Sequence, residues 1–384
     1  MKKIKCIIVK WFMYIINKVF GVRNNKIIFQ SFGGKSFSDN PKAIYNFLVK
    51  EENNLDIIWI FKEPNKKKEL LSSRVKIVKP NTIKYFFHLS TAKFWIDNFN
   101  KVTCLYKSKK QIYIQTGHGD RGIKKIYYDS NFVSESQIYF EESSCDYIVT
   151  GSSFAEKMYS SAYRYKGEFL KFGCPRSDAL FNPDEKNMNE IKNKLNIKSD
   201  DKILLFAPTL RRENSDKKSK QSIGDIDLLS VVSKINSITG TKWICLLRAH
   251  SAVGDLSGFP VDNQFINVSN YEDMADILLV TDLLITDYSS SATEFILTDK
   301  PVILYQSDYN QYLEKDRTLY VDLKKTDFLI AYDNNELLEK IDIALNEDSS
   351  KRNEKIRSFY QVYEDGNASK RISEFIFNTI SNQK

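Results

Sequence analysis

Residues 282–295 read Asp282-Leu283-Leu284-Ile285-Thr286-Asp287-Tyr288-Ser289-Ser290-Ser291-Ala292-Thr293-Glu294-Phe295. A short apolar run ends in Thr-Asp, and three serines then open a helical pattern. An apolar run with no polar alternation is a strand buried on both faces, the mark of a parallel sheet covered by helices. Free amides at a helix start, with hydroxyls beside them, suit an anion. Serines also serve as plain N-caps, so both readings stand. Glu294 falls one turn into the helix, where a carboxylate can accept hydrogen bonds from two ribose hydroxyls.

The same strand-then-helix rhythm runs outward from this stretch in both directions. Before it, strands are expected at Ile203–Ala207, Trp243–Leu247 and Phe265–Val268, and after it at Val302–Tyr305. Helices are expected at Ile226–Ile235, Tyr271–Leu279, Ser291–Leu297 and Asn335–Leu345. An earlier series places strands at Ile27–Ser31, Asp56–Phe61, Val75–Val78, Phe94–Asn98, Ile112–Gln115, Tyr147–Thr150 and Phe169–Phe172. Helices Pro41–Val49, Thr82–Leu89 and Ser153–Tyr163 lie between them. A polar break near Asn182–Asn187 separates the two series. The pattern predicts an α/β chain of two Rossmann-like, doubly wound domains facing across a cleft. The expected divisions are residues 1–24, 25–183, 184–350 and 351–384. The last holds helices Lys351–Glu364 and Ser369–Ser381, which could pack back on the first domain.

Composition narrows the class. A hydrophobic fraction of 42% fills two cores, so disorder is expected only at the ends and in one charged loop. The net charge of +8 is spread along the chain and fits a phosphate-bearing substrate or an anionic membrane better than nucleic acid, for which no motif is present. Five cysteines, Cys6, Cys104, Cys145, Cys174 and Cys245, form no C-x-x-C pair. They are expected to be reduced, with no disulfide framework and no structural zinc site.

The N-terminus carries Ile4, Ile7, Ile8, Trp11, Phe12, Ile15 and Val19 at helical spacing, with Lys2, Lys3, Lys5 and Lys10 lying mostly to the other side. An amphipathic helix of this kind can lie on an anionic membrane surface. A helix packed on the protein itself and a secretory signal are the competing readings. Lys10 inside the apolar stretch and the lack of a small-residue cleavage site weigh against a signal. No apolar run is long enough for a spanning helix.

Four segments fall at expected strand ends, where doubly wound sheets bind ligands. Gly117-His118-Gly119-Asp120-Arg121-Gly122-Ile123-Lys124-Lys125 follows Ile112–Gln115. An imidazole flanked by glycines there suits a general base for a hydroxyl nucleophile, and Arg121, Lys124 and Lys125 could hold phosphate oxygens. Ala207-Pro208-Thr209-Leu210-Arg211-Arg212 offers guanidinium groups of which alternation points one inward. Leu246-Leu247-Arg248-Ala249-His250 brings a second histidine, able to donate to a phosphate or protonate a leaving phosphate. Thr286, Asp287, Ser289, Ser290, Ser291 and Glu294 make the fourth group. His88, within an apolar helix, reads as structural. The polar segment Glu213–Ser222 reads as a mobile surface loop, either a lid or acceptor-contact loop or a solvated loop with no role. No Walker A or G-x-G-x-x-G loop is present. Asp225-Ile226-Asp227 has metal-site spacing but reads better as helix-start carboxylates, so no metal or cofactor is expected.

Taken together and in this order, these segments resemble the CDP-glycerol glycerophosphotransferase family of teichoic acid and capsule synthesis. Gly117-His118-Gly119, Ala207 to Arg211, Leu247 to His250 and Thr286 to Ser290 match its four motifs. Phe172-Gly173-Cys174-Pro175-Arg176-Ser177-Asp178 and Asp299-Lys300-Pro301-Val302-Ile303-Leu304-Tyr305 match two further segments. The resemblance covers about Lys26 to Asp322. It implies a GT-B-type fold and transfer of glycerol or ribitol phosphate from CDP-glycerol or CDP-ribitol to a lipid-linked polymer, with release of CMP. The lysine-rich N-terminal helix adds the expectation of a peripheral location at the cytoplasmic face of the cell membrane. Carried over by position, His118 is the base, with Gly119 beside it. His250, Arg211 and Ser289–Ser291 hold the donor phosphates. The family's Trp before the first His is Gly117 here, its Trp before Arg is Leu210, and Ser251 replaces Pro after His250. A GT-B glycosyltransferase using a nucleotide sugar is the rival reading.

Overall fold

The structure is a computed structural model that describes residues 2–51, 54–101, 104–130, 140–209, 211, 225–249 and 263–382. His250, Arg212, Leu210 and the segment Glu213–Ser222 lie outside these described residues.

Among the described residues, thirteen strands form two sheets. The first contains β1 (Arg23–Gln30), β2 (Asp56–Ile60), β3 (Lys76–Val78), β4 (Ala92–Asp97), β5 (Ile112–Gln115), β6 (Tyr147–Val149) and β7 (Glu168–Leu170), in the order β3-β2-β1-β4-β5-β6-β7. The second contains β8 (Lys202–Ala207), β9 (Trp243–Leu247), β10 (Phe265–Asn267), β11 (Leu283–Thr286), β12 (Val302–Tyr305) and β13 (Leu329–Ala331), in the order β10-β9-β8-β11-β12-β13. Every strand pair in both sheets is parallel. Runs such as Ile27-Ile28-Phe29 and Leu283-Leu284-Ile285 are buried on both faces, as parallel sheets require. In each sheet the chain winds outward from one central strand and then restarts on its other side. The switch points are therefore β1/β4 and β8/β11.

The chain divides into two compact units, one of Met1–Asp120, Val133–Asp178 and Tyr363–Lys384, the other of Arg121–Phe132 and Ala179–Val362. The C-terminal helix Ala368–Ser381 belongs to the first unit. It sets Ile372 and Ile376 in the core formed by Phe29, Ile44, Trp59 and Phe94. Its first turn is held by Asp178, which accepts from the amides of Ala368 and Ser369.

The N-terminal segment is a helix, α1 (Lys2–Phe20). Met13 and Ile16 are buried, and Asn17 donates to the Ser90 carbonyl at 2.7 Å. Phe12 and Phe20 meet Phe86 and Phe87 edge-on. One face of α1 thus packs on the first unit, beside the helix Ile83–Thr91. The expectation of five reduced thiols is corrected here. Cys6 and Cys104 form a disulfide that ties α1 to the chain beyond β4, and Cys145, Cys174 and Cys245 are free. The two partners are 98 residues apart, a separation that no local spacing rule anticipates. No helix among the described residues is long and apolar enough to cross a membrane.

Candidate active site

In the first unit, β4 and β5 end side by side and the loops beyond them build the surroundings of His118. Asp97 closes β4. One of its oxygens accepts from the Phe99 amide at 2.9 Å and the other takes the buried Lys101 ammonium at 2.6 Å. This clamp fixes the turn that carries Asn98. The Asn98 carbonyl lies 2.9 Å from His118 Nδ1. A carbonyl only accepts, so Nδ1 carries the proton and the Nε2 lone pair of the neutral ring is left for a substrate.

The rings of Phe32 and Phe99 approach His118 at 5.5 and 6.0 Å between centroids. Burial lowers the pKa of the imidazole below its ordinary value near 6.5, while the carboxylate of Asp39 pulls it back up. Asp39 is itself buried in an ion pair with Arg176. The next residue, Asn40, donates to the carbonyls of Thr116 and Gly117 at 2.8 and 3.0 Å and accepts from the Arg176 amide. The Asp39-Asn40 corner is therefore a brace for the histidine loop, and the sequence reading did not single it out.

Gly117 has φ +60, and a Cβ there would stand 2.4 Å from the Tyr159 hydroxyl. Tyr159 donates instead to the Gly119 carbonyl at 2.9 Å. This explains why glycine precedes the histidine in this chain. Tyr159 occupies the space that a larger side chain would need.

In the second unit, the residues singled out from sequence separate into two groups. Thr286 is buried and donates to the Ala207 carbonyl at 2.6 Å, tying β11 to β8. Asp287 accepts from the Thr209 and Tyr288 amides. Arg211 donates through Nη1 to Asp287 at 2.8 Å and to the Thr209 carbonyl at 2.7 Å, and grips Asp308 through Nε and Nη2. Its guanidinium also lies over the stacked rings of Tyr288 and Tyr312. Arg211 and Asp287 thus lock the loop after β8, a different task from the expected phosphate contact. Arg121 is likewise completely buried, its Nε 3.1 Å from the Thr293 carbonyl, and it holds the helix Ser291–Phe295 in place. Glu294 and Ser291 are buried in that helix.

The second group faces outward. Ser289 and Ser290 are half-buried, and the Ser289 hydroxyl accepts from the amide and hydroxyl of Ser291. Lys124 forms an antiparallel bridge with Leu319, flanked by bonds from the Lys125 amide to the Thr318 carbonyl and from the Tyr320 amide to the Ile123 carbonyl. Backbone alternation puts Arg317 on the same side as Leu319 and hence as Lys124. Neither Lys124 nor Arg317 makes a side-chain hydrogen bond or ion pair among the described residues. Burial lowers the Lys124 ammonium to about 8. The Asp287 carboxylate opposes this shift, and the nearby Arg317 and Arg211 charges reinforce it. A half-buried lysine beside an arginine, with hydroxyls of the Ser289-Ser290 turn in the same unit, suits a diphosphate. Arg317 was missed from sequence, because it lies in the polar stretch Lys315-Asp316-Arg317 without any strand-end motif.

Two carboxylate groups bear on the question of a metal. Asp227 caps the helix Leu228–Thr239 by accepting from Ser230, and Asp225 accepts from the Tyr305 hydroxyl, so each has a local structural task. Asp120, Cys174 and Glu364 bring ligand atoms within 4.8 Å of one another. Both Asp120 oxygens, however, are already bonded to Gly151 and Ser152. That cluster fastens the first unit together.

Two parallel-stranded Rossmann-like sheets, with His118 beyond the end of β5 in one unit and Lys124 beside Arg317 in the other, define a GT-B-type α/β fold. The chain belongs to the CDP-glycerol:poly(glycerophosphate) glycerophosphotransferase family, whose model matches residues 12–378. It is 31% identical over 392 residues to the teichoic acid poly(glycerol phosphate) polymerase of Staphylococcus epidermidis, covering 96% of this chain but 53% of that protein. So the chain spans about half the length of that relative. It is 32% identical to the teichoic acid glycerol-phosphate transferase of Staphylococcus aureus, covering 92% of this chain and 93% of that one. The structure of the wall teichoic acid polymerase TagF is similar at TM-score 0.82 and 29% identity, over 97% of this chain and 94% of that one.

Proposed function

We propose that this chain transfers glycerol phosphate from CDP-glycerol to a hydroxyl of a lipid-linked teichoic acid acceptor and releases CMP. The observation that carries the reading is the His118–Asn98 hydrogen bond, which leaves Nε2 as a proton acceptor. Nε2 takes the proton of the acceptor hydroxyl, and its oxygen attacks the β-phosphorus. The bond from that phosphorus to the bridging oxygen breaks, and CMP departs with the electron pair. Lys124, Arg317 and the hydroxyls of Ser289 and Ser290 offset the charge on the diphosphate. His250 is assigned to the leaving phosphate, on the family position alone.

Attachment to an anionic membrane is part of the same proposal. Ile4, Ile7, Ile8, Trp11, Ile15 and Val19 of α1 are all more than half exposed, and they share one face when projected at about 100° per residue. Lys5 and Lys10 flank that face and Lys18 lies within it. An apolar stripe bordered by ammonium groups fits a bilayer with anionic headgroups at the cytoplasmic side.

Incubation with CDP-glycerol, CDP-ribitol and UDP-sugars in the presence of a lipid-linked acceptor tests the reading. CMP release from CDP-glycerol, with products heavier by glycerol phosphate units, is the expected result. Release of a nucleotide from a UDP-sugar alone would replace the reading with a glycosyltransferase.

A further inference from the structure

The carboxyl ends of β12 and β13 border a cavity of about 460 Å³, lined by Gln306, Ser307, Asp308, Tyr309, Lys324 and Tyr332 among others. Of these residues only Asp308 entered the description above, as a partner of Arg211. The chemistry of the lining is specific. Lys324 Nζ stands 5.4 Å from the Tyr309 ring centroid and 5.6 Å from that of Tyr332. The carboxylate of Asp308 is already matched by Arg211 and by the Tyr288 hydroxyl. The charge left for a ligand is therefore the ammonium. Gln306 is 1% exposed. Its Nε2 leans on the Asp287 carbonyl at 3.4 Å, while its Oε1 accepts from no group among the described residues. A buried amide oxygen without a donor is destabilising, and a ligand hydroxyl donating to it would offset that cost.

We propose that this pocket holds a phosphodiester-linked polyol unit of the acceptor chain, an inference that rests on the transfer reaction proposed above. The ammonium takes the phosphate, Gln306 Oε1 accepts from a polyol hydroxyl, and the tyrosine rings pack on the carbon backbone. A pyrimidine base fits less well. The two rings stand at 75° with centroids 6.1 Å apart, so they form no parallel slot, and Lys324 already lies over both faces. Asn310, Gln311 and Lys324 are exposed, so the rim is open to solvent, as a ligand that continues beyond the pocket requires.

The test is calorimetric titration of the full chain with a soluble trimer of glycerol phosphate, beside CMP and inorganic phosphate. It is repeated on Lys324→Ala and Gln306→Leu. Lys324 is exposed, so its truncation leaves the fold intact, and thermal melting confirms that. The trimer is expected to bind Lys324→Ala about tenfold more weakly, the effect of one charge-assisted hydrogen bond. The KM for polymer acceptor should rise by the same factor, with the KM for CDP-glycerol unchanged. Unchanged trimer affinity in both variants would overturn the proposal, and so would a loss confined to CMP. The binding arm needs no turnover. A wild-type chain that binds the trimer through Lys324 but releases no CMP from CDP-glycerol would refute the transfer reaction and leave the pocket standing.

Discussion

His118 Nδ1 lies 2.9 Å from the carbonyl oxygen of Asn98, which fixes the tautomer that leaves Nε2 unprotonated in the neutral ring. Replacing His118 with Ala should lower kcat by about 10²-fold or more while leaving the affinity for CDP-glycerol close to wild type. Single-turnover kinetics and donor titration check the two halves separately. Turnover within a few-fold of wild type would remove His118 from the role of base.

The pH profile follows from the same site. Burial holds the imidazole pKa below its ordinary value near 6.5, and the proposed base is its neutral form. Activity is therefore complete at neutral pH and is lost as pH falls through the depressed pKa. Asp39 raises that pKa, so Asp39→Asn should move the acid limb of kcat/KM to still lower pH. A limb that stays in place would show that Asp39 does not act on His118.

Lys124 gives the opposite limb. Its ammonium is lowered to about 8, so the charged form is present below that pH and lost above it. In kcat/KM, which reports the free enzyme, a basic limb is expected near that value. In kcat the limb should move upward, because bound diphosphate favours the cation. Lys124→Gln abolishes this limb, and Arg317→Ala raises the KM for CDP-glycerol by about tenfold or more.

Arg211 bridges Asp287 and Asp308 through four hydrogen bonds in all, one of them to the Thr209 carbonyl. Arg211→Ala leaves two carboxylates without their cation, and one of these, Asp287, is almost fully buried. The expected loss of stability is on the order of 2–4 kcal/mol, read from denaturant melts. A destabilisation under about 0.5 kcal/mol would contradict the locking role.

Ile8 and Trp11 are 62% and 61% exposed on α1. The double change Ile8→Glu/Trp11→Glu should leave the melting temperature unchanged and weaken cosedimentation with phosphatidylglycerol vesicles by at least about tenfold. Equal binding by the variant would place membrane attachment elsewhere.

The inner strands were legible because they are short apolar runs buried on both faces. Ile112–Gln115, Trp243–Leu247, Leu283–Thr286 and Val302–Tyr305 have the same bounds in the structure. The strand Leu329–Ala331 was not expected from sequence. The position of His118 beyond β5 also followed from sequence, since a strand end locates its loop. What failed was the partnering of charges. Nothing local shows that Arg211 meets Asp308, 97 residues on, or that Arg121 turns inward to Thr293. An arginine at a strand end looks the same from sequence whether it faces a phosphate or a carboxylate of its own chain. The Cys6–Cys104 pair was hidden for the same reason, as a contact made only by the folded chain.

The most direct test of glycerol phosphate transfer is mass analysis of a lipid-linked acceptor after incubation with CDP-glycerol, with CMP quantified in the same reaction. The account predicts one CMP for each glycerol phosphate added, with both lowered by about 10²-fold or more in His118→Ala. CMP-free reactions with an unchanged acceptor, or equal conversion by the His118 variant, would contradict it.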